Sequence, residues 1–166
     1  MSSKPELAWM KYGKSHLGMH EIKHAFILAD WQADLKCSWL GNNPAWCGIY
    51  CAKVLKECGI NYPKEFYRAL EWKKGGAKLS KPAYGCIAIK TRKGGGHVCF
   101  VVGKLADGRL VCLGGNQSNQ VCYAIYRTAD FDEFRWYGRT ANPAPHRFEL
   151  ETIKYTSSLK LQVTES

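Results

Sequence analysis

The segment NNPAWCGIYCAKVLKECG, residues 42–59, carries the clearest helix pattern in the chain. Asn43 is a preferred N-cap residue, Pro44 suits the first helical position, and Gly59 is typical of the position just past a helix end. Between them the apolar side chains fall on one helical face. These are Cys47, Tyr50, Cys51, Val54, Leu55 and Cys58. We therefore predict an amphipathic helix that starts at Pro44 and packs this face against a core.

Cys47 falls in the first turn of the predicted helix, at the fourth position counted from Pro44. Backbone N–H groups in a first turn lack intrahelical partners and the helix dipole is positive there, so a thiolate is favoured. Cys51 lies one turn further along the same face, past most of that field. Cys47 is therefore the better candidate nucleophile. The alternative is that Cys47 is a small buried apolar residue at the end of the stripe.

Helix patterns precede this segment and strand patterns follow it. Ser3 and Glu6 have the spacing of a capping box, and a second helix is predicted over about 24–35. After residue 85 the pattern changes to short runs of β-branched and aromatic residues separated by Gly, Asn or Asp. The runs are CIAIK (86–90), HVCFVVG (97–103), LVCLGG (110–115), VCYAIYR (121–127) and FRWYG (134–138).

The connections between these runs are too short for crossover helices, so we predict an antiparallel sheet of about five strands. Helices first and strands afterwards indicate an α+β fold. With 166 residues the chain has the length of one domain. We place that domain at residues 1–141, followed by a C-terminal extension, residues 142–166, whose structure the sequence leaves open.

A base for the Cys47 thiolate is expected among the five histidines, and His97 is the best placed. It opens the strongest predicted strand, directly after the glycines of KGGG (93–96), which let other groups approach closely. A thiolate beside an imidazole has the nucleophile and base of a cysteine hydrolase. The other interpretation of His97 is a core histidine with its hydrogen bonds satisfied.

The next strand supplies a group that orients the imidazole. If residues 105–108 form a four-residue hairpin loop, Lys104 pairs with Arg109 and His97 faces Asn116. A shorter loop puts Gln117 or Ser118 opposite His97 instead. In each case an amide or hydroxyl can accept from one imidazole nitrogen while the other nitrogen faces Cys47. Taken alone, Asn116 also suits a left-handed turn position.

Three motifs in this order resemble the papain-like cell-wall hydrolases of the NlpC and CHAP type. They are closest to the branch of phage and bacterial proteins with a Trp-Cys helix start, a Gly-His-Val strand and a Gly-Gly-Asn-Gln turn. In this chain the motifs are AWCGIYCAKVLKECGI (45–60), GCIAIKTRKGGGHVCFVVG (85–103) and LVCLGGNQSNQV (110–121); LGMHEI (17–22) also resembles that branch. The likeness covers about residues 5–137. It implies a papain-like fold, with N-terminal helices packed on the antiparallel sheet.

The resemblance implies that Cys47 is the nucleophile, His97 the base and Asn116 the orienting residue. The residues expected to contact substrate are Trp46, Asn43, Gly96 and Gln117, although Trp46 also suits the core.

The implied reaction is acyl transfer. A Cys47 thiolate attacks an amide carbonyl of a peptidoglycan stem peptide, His97 protonates the departing amine, and water then hydrolyses the thioester. The Cys47 backbone N–H and either Asn42 or Asn43 are expected to hold the oxyanion. Such an enzyme is an endopeptidase or an amidase, as in phage lysins and antibacterial effectors, and it needs no cofactor.

The chain is strongly basic, with 24 Lys and Arg against 14 Asp and Glu and a net charge of +10. The basic residues are scattered and no nucleic-acid-binding signature accompanies them, so we predict no specific nucleic-acid partner. We expect peptidoglycan and anionic wall polymers to bind this surface instead. A dispersed solvated surface is the other interpretation.

The longest apolar runs hold five residues and the N-terminus has no apolar signal-peptide core, so we expect no transmembrane segment or secretion signal. The protein is then made in the cytoplasm and acts at the cell wall or periplasm after lysis or delivery. A delivery or immunity protein is a further expected partner.

Eight cysteines occur, none with Cys-x-x-Cys spacing, and we expect them to be reduced. Four should be small buried residues of the strands: Cys86, Cys99, Cys112 and Cys122.

His16, His20 and His24 recur every fourth residue, but Gly18 interrupts the run. We therefore predict no metal site.

Two other functions fit the same residues. A non-catalytic wall-binding or interaction module with this fold would tolerate the loss of Cys47. A transglutaminase or deamidase acting on proteins would need Cys47, because the same triad can transfer acyl groups to amines.

Overall fold

The computed structural model describes residues 5–42, 44–154 and, for the backbone alone, 162–163. Within these residues three α-helices come first: α1 (Ala8–Lys14), α2 (Ala25–Asp34) and α3 (Cys47–Glu57). Short 3-10 helices lie at Ser38–Leu40, Ala69–Lys74, Thr128–Asp130 and Pro145–Phe148. No helix in this part of the chain is long and apolar enough to cross a membrane.

The helix predictions differ in their outcome. The helix predicted over about 24–35 is confirmed as α2, with His24 and Leu35 at its two caps. Helix α1 begins at Ala8 with Leu7 in the N-cap position, and Ser3 of the predicted capping box lies outside the described residues. Gly59 has a φ of +68° just after α3, the left-handed conformation that commonly ends a helix.

Seven strands form one sheet in the order β1-β6-β2-β3-β4-β5-β7. Their bounds are β1 Ala77–Leu79, β2 Ile87–Arg92, β3 Gly95–Lys104, β4 Leu110–Gln117, β5 Gln120–Tyr126, β6 Glu133–Trp136 and β7 Gln162–Val163. All neighbouring pairs are antiparallel except β5 and β7, which run parallel. The α+β class and the antiparallel sheet are confirmed, and β1 and β7 add to the five predicted strands.

The β3–β4 hairpin keeps its predicted register although its loop is longer than predicted. Lys104 pairs with Leu110 instead of Arg109, so the loop gains one residue. A bulge between Val101 and Gly103 absorbs that residue, and Phe100 then pairs with Leu113. The register beyond the bulge is the one in which His97 faces Asn116 along the backbone.

Helix α3 packs closely on the sheet through glycines. A Cβ built on Gly115 of β4 would lie 2.7 Å from Cβ of Tyr50 and 2.8 Å from the Trp46 ring. A Cβ built on Gly48 would overlap the carbonyl oxygen of Phe66. These close approaches fix the first turn of α3 between β4 and the backbone at Phe66.

The sheet is curled, and its concave face encloses polar side chains. Strands β2 and β5 are separated by β3 and β4, and neighbouring strands lie about 4.8 Å apart, so in a flat sheet β2 and β5 would not touch. Yet Nζ of Lys90 on β2 lies 5.2 Å from the ring centroid of Tyr126 on β5. The imidazole of His97 on β3 lies 5.8 Å from the same ring. The curl therefore brings the ends of these strands together around His97.

Part of the predicted C-terminal extension packs on the fold. The backbone N–H of Tyr84 donates to the carbonyl of Arg147, and the Lys104 N–H donates to the carbonyl of Glu151. The Ile153 N–H donates in turn to the carbonyl of Lys104. The domain boundary at residue 141 stays a prediction.

Candidate active site

Cys47 is the first residue of α3, not its fourth as predicted from Pro44. Trp46 occupies the N-cap position with φ −117° and ψ 16°, and Pro44 precedes the helix. The prediction of the helix start was wrong because tertiary contacts of Trp46 hold its backbone out of the helix. The correction places the Cys47 thiol still closer to the unpaired N–H groups of the first turn.

Trp46 is a core residue in this structure. Its side chain is 1% exposed, its ring packs against Gly115, and its Nε1–H donates to Oε1 of Glu21 at 2.8 Å. The predicted substrate contact of Trp46 is thus not available at the surface, and its core alternative is the arrangement observed. Asn43, also predicted to contact substrate, lies outside the described residues.

The partner of the His97 imidazole is Gln117. His97 Nε2 lies 2.9 Å from Gln117 Oε1, and both side chains are buried. Gln117 Nε2 donates to the carbonyl of Cys122 at 2.7 Å, and the Tyr126 hydroxyl donates to Gln117 Oε1 at 2.9 Å. Because the Cys122 carbonyl can only accept, it fixes which end of the amide faces His97. Nε2 of His97 therefore carries a proton, and Nδ1 is the nitrogen that can accept one.

Asn116 does not take the orienting position that the resemblance implied. Its backbone has a φ of +58°, and the pairing of β4 with β5 shifts between Gly114 and Gln117. This irregularity interrupts the alternation of side chains, so Gln117 reaches the face on which a regular strand would put Asn116. The left-handed turn alternative for Asn116 is the conformation observed. Gln117, predicted to contact substrate, is instead buried and committed to His97.

His97 and Cys47 perturb each other electrostatically. Burial alone would raise the pKa of the Cys47 thiol, but the hydrogen bond and charge of His97 outweigh it, aided by the Val98 backbone and Arg92. The pKa of Cys47 is therefore lowered from its ordinary value. Burial disfavours the imidazolium, yet interaction with the thiols of Cys47 and Cys99 raises the pKa of His97 to about 10. Both shifts favour a thiolate–imidazolium pair.

A second thiol shares the His97 imidazole. Cys99 lies two residues along β3 on the same face, and its contacts with Cys112 and His97 lower its pKa despite burial. The two thiols differ in access, because Cys99 is 0% exposed and Cys47 is 4% exposed. Cys47 also has the helix N-terminus, which Cys99 lacks. Cys51, by contrast, is a buried thiol whose pKa burial raises well above its ordinary value.

The solvent side of the pair is covered in this structure. Arg92 is half-buried, and one of its terminal nitrogens lies 3.4 Å from His97 Nδ1. Leu70 packs against Gly96, where a Cβ would lie 2.7 Å from its Cδ2. Gly96, predicted to border the substrate cleft, is half-buried directly beside His97. Since His97 is 0% exposed, side chains such as these must move before a substrate can reach Nδ1.

An open cavity lies at the opposite end of α3. It has a volume of about 410 Å³, and aromatic side chains, among them Tyr62, Trp136 and Tyr137, form part of its lining. A second cavity of about 390 Å³ next to it shares Asn61 and Tyr137. The residues that line the two cavities include no cysteine and no histidine. The thiol and imidazole of Cys47 and His97 come together at the other end of α3.

Two further points concern the state of the cysteines and the arrangement of potential metal ligands. All eight cysteines are unpaired by disulfides, and Cys86, Cys99, Cys112 and Cys122 are buried as predicted. Among the described residues no group of three or more His, Cys, Asp or Glu side chains is arranged to hold a metal ion.

Comparison with known proteins gives no match: no family model, no curated protein and no solved structure matches the chain. The resemblance to the NlpC and CHAP hydrolases therefore stays a prediction that rests on the sequence motifs.

Proposed function

We propose that this protein is a cysteine amidohydrolase that cleaves an amide bond of the bacterial cell-wall peptide, with a papain-like fold. The observation that carries the proposal is the thiol of Cys47 at the first position of α3, in hydrogen-bond contact with the His97 imidazole, whose Nε2 is held by Gln117. Helix start, base and orienting amide come from three separate elements. Their convergence is what nucleophilic catalysis by cysteine requires.

The residues take these roles in the reaction. The Cys47 thiolate attacks the amide carbon and forms a tetrahedral intermediate. The imidazolium of His97 gives the Nδ1 proton to the departing amine, and the C–N bond breaks to leave a thioester on Cys47. Nδ1 then takes a proton from water, the resulting hydroxide displaces Cys47, and the acid product leaves. Gln117 keeps Nε2 protonated throughout.

The start of α3 supplies donors for the oxyanion. The first N–H groups of a helix have no intrahelical acceptor, and the Cys47 N–H is the first of them. In the proposed reaction it donates to the oxygen of the attacked carbonyl as that oxygen develops charge. The predicted second donor from Asn42 or Asn43 stays a prediction.

Two features support peptidoglycan as the substrate. The motifs around Cys47, His97 and Asn116 resemble cell-wall hydrolases, and the net charge of +10 favours an anionic wall. Transfer to an amine other than water, as in a transglutaminase, uses the same residues, so product analysis separates the two.

One observation favours a non-catalytic wall-binding module as the second candidate. The thiol and imidazole are almost fully covered, whereas the aromatic cavity of about 410 Å³ at the other end of α3 is open. A binding module would use such a cavity and would not need Cys47.

The test is mass spectrometry of purified peptidoglycan after digestion with the wild-type protein and with Cys47→Ala. We expect new amine-bearing fragments from the wild type alone, and their masses name the bond cleaved. Cys51→Ala is the matched control, because it removes a buried thiol one turn further along α3 and should leave the fragments unchanged. If both Cys47→Ala and the wild type bind the wall and neither releases fragments, the binding module replaces the hydrolase.

A further inference from the structure

Tyr126 is a buried residue at the end of β5 that no part of the reaction above uses. It is 3% exposed, and its hydroxyl donates to Oε1 of Gln117 at 2.9 Å. Gln117 Oε1 is also the atom that accepts from His97 Nε2. A single oxygen therefore joins Tyr126 to the imidazole.

The ring of Tyr126 is itself held in place from several sides. Nζ of Lys90 lies 5.2 Å from its centroid, Phe131 packs against it in an edge-on arrangement at 5.2 Å, and His97 lies at 5.8 Å. Lys90 is also the residue of β2 that pairs with His97 of β3. The ring is thus a fixed support, and its hydroxyl oxygen cannot move away from Gln117 without displacing these neighbours.

Gln117 needs such a support because its side chain has three rotatable bonds. Donation to the Cys122 carbonyl holds its nitrogen end, and donation from Tyr126 holds its oxygen end. With both ends held, the amide presents a single acceptor to His97 at one position. The orientation of the imidazole follows from that position.

We propose that Tyr126 is a positioning residue of this site: its hydroxyl fixes the Gln117 amide and thereby holds His97 with Nδ1 available to Cys47. The inference rests on the proposed roles of Cys47 and His97 but not on the identity of the substrate. In this role Tyr126 acts on His97 through Gln117.

The experiment measures the rate of Cys47 alkylation by iodoacetamide between pH 5 and 11, with peptide mass mapping to identify the modified thiol. The charged and titratable groups around His97 are Cys47 on α3, Lys90 and Arg92 on β2, Cys99 on β3, Cys112 on β4 and Tyr126 on β5. Tyr126→Phe removes only the hydroxyl and keeps the ring. Tyr123→Phe is the matched control, since it lies on the same strand three residues away.

We expect Tyr126→Phe to raise the pH midpoint of Cys47 alkylation by about 0.3 to 1 unit, because a less firmly held imidazolium stabilises the thiolate less. Tyr123→Phe should leave the midpoint unchanged. In a Gln117→Leu background, Tyr126→Phe should add no further shift, because its effect passes through Gln117. Melting temperatures are recorded for every variant. A variant that is only less stable keeps the wild-type midpoint, so the two measurements together separate a positioning role from a structural one.

Three results would overturn the inference: an unchanged midpoint in Tyr126→Phe, an equal shift in Tyr123→Phe, or a shift that persists in the Gln117→Leu background. A wild-type midpoint at the ordinary value for a cysteine would overturn it together with the proposed roles of Cys47 and His97. If the midpoints shift as expected and peptidoglycan is not cleaved, Tyr126 keeps its role and only the substrate proposal fails.

Discussion

The imidazole of His97 has two nitrogens, and this fold gives them different neighbours. Nε2 donates to the buried amide of Gln117, while Nδ1 lies on the side of Arg92. A neutral imidazole carries one proton, so the amide on one side determines which nitrogen acts as the base on the other. At the scale of single residues, Gln117 therefore holds the imidazole in the position where Asn116 was expected.

A pair of variants tests this at the residue scale. Gln117→Leu removes the acceptor, so we expect Cys47 alkylation at pH 7 to slow by about tenfold or more. Asn116→Gly keeps the left-handed backbone, since glycine adopts positive φ freely, and should leave the rate near that of the wild type. Alkylation is measured below the melting temperature of both variants. A large loss in Asn116→Gly with little change in Gln117→Leu would restore Asn116 as the orienting residue.

At the scale of elements, helix α3 places the thiol by its start and by its close packing. Trp46 ends the preceding segment and is anchored to Glu21, so the helix begins at Cys47. Gly48 then lies against the backbone of Phe66, where no side chain fits. The first turn is fixed on both sides, which keeps the thiol against His97.

Gly48→Ala tests this packing. Replacing glycine by alanine in a helix normally stabilises a protein by about 0.5 to 1 kcal/mol. Here the added methyl group overlaps the Phe66 carbonyl, which belongs to the backbone and cannot rotate away, so we expect a loss of about 1 to 3 kcal/mol instead. Urea denaturation of the two proteins measures the difference in free energy of unfolding. A stability equal to or above the wild type would show that the Phe66 segment is not firmly packed on α3.

At the scale of the whole molecule, the curl of the sheet forms the proposed site, and the net charge favours binding to the wall. The curl encloses Lys90, His97, Gln117 and Tyr126 on the concave face and so builds the site. The excess of ten positive charges is spread along the chain. Such a charge attracts an anionic wall at long range and leaves the choice of bond to the site.

We expect binding to isolated cell walls to weaken steeply with ionic strength. Exposed charges are screened over about 10 Å at 0.1 M salt and about 3 Å at 1 M. Cosedimentation of Cys47→Ala with walls at about 0.05 M and 0.5 M salt measures the effect without digestion. Binding that is the same at both salt concentrations would indicate that contacts other than charge hold the protein on the wall.

Much of the fold was predictable because it depends on local patterns. The apolar stripe of α3, the alternation of the strands and the glycines between them are short-range signals, and they predicted the α+β class and the β3–β4 register. Cys47 and His97 were also identifiable, one from a helix start and one from a strand start.

By itself the sequence determined α2, α3, the five central strands, their order and the two candidate residues Cys47 and His97, because each depends on residues within about one turn or one hairpin. Only the tertiary structure decided the start of α3, the choice of Gln117 over Asn116 as the partner of His97, and the presence of Tyr126 beside them. The first depends on the anchoring of Trp46 by Glu21, 25 residues away. The others depend on a bulge and on the curl of the sheet, which bring residues distant along the chain to the imidazole of His97.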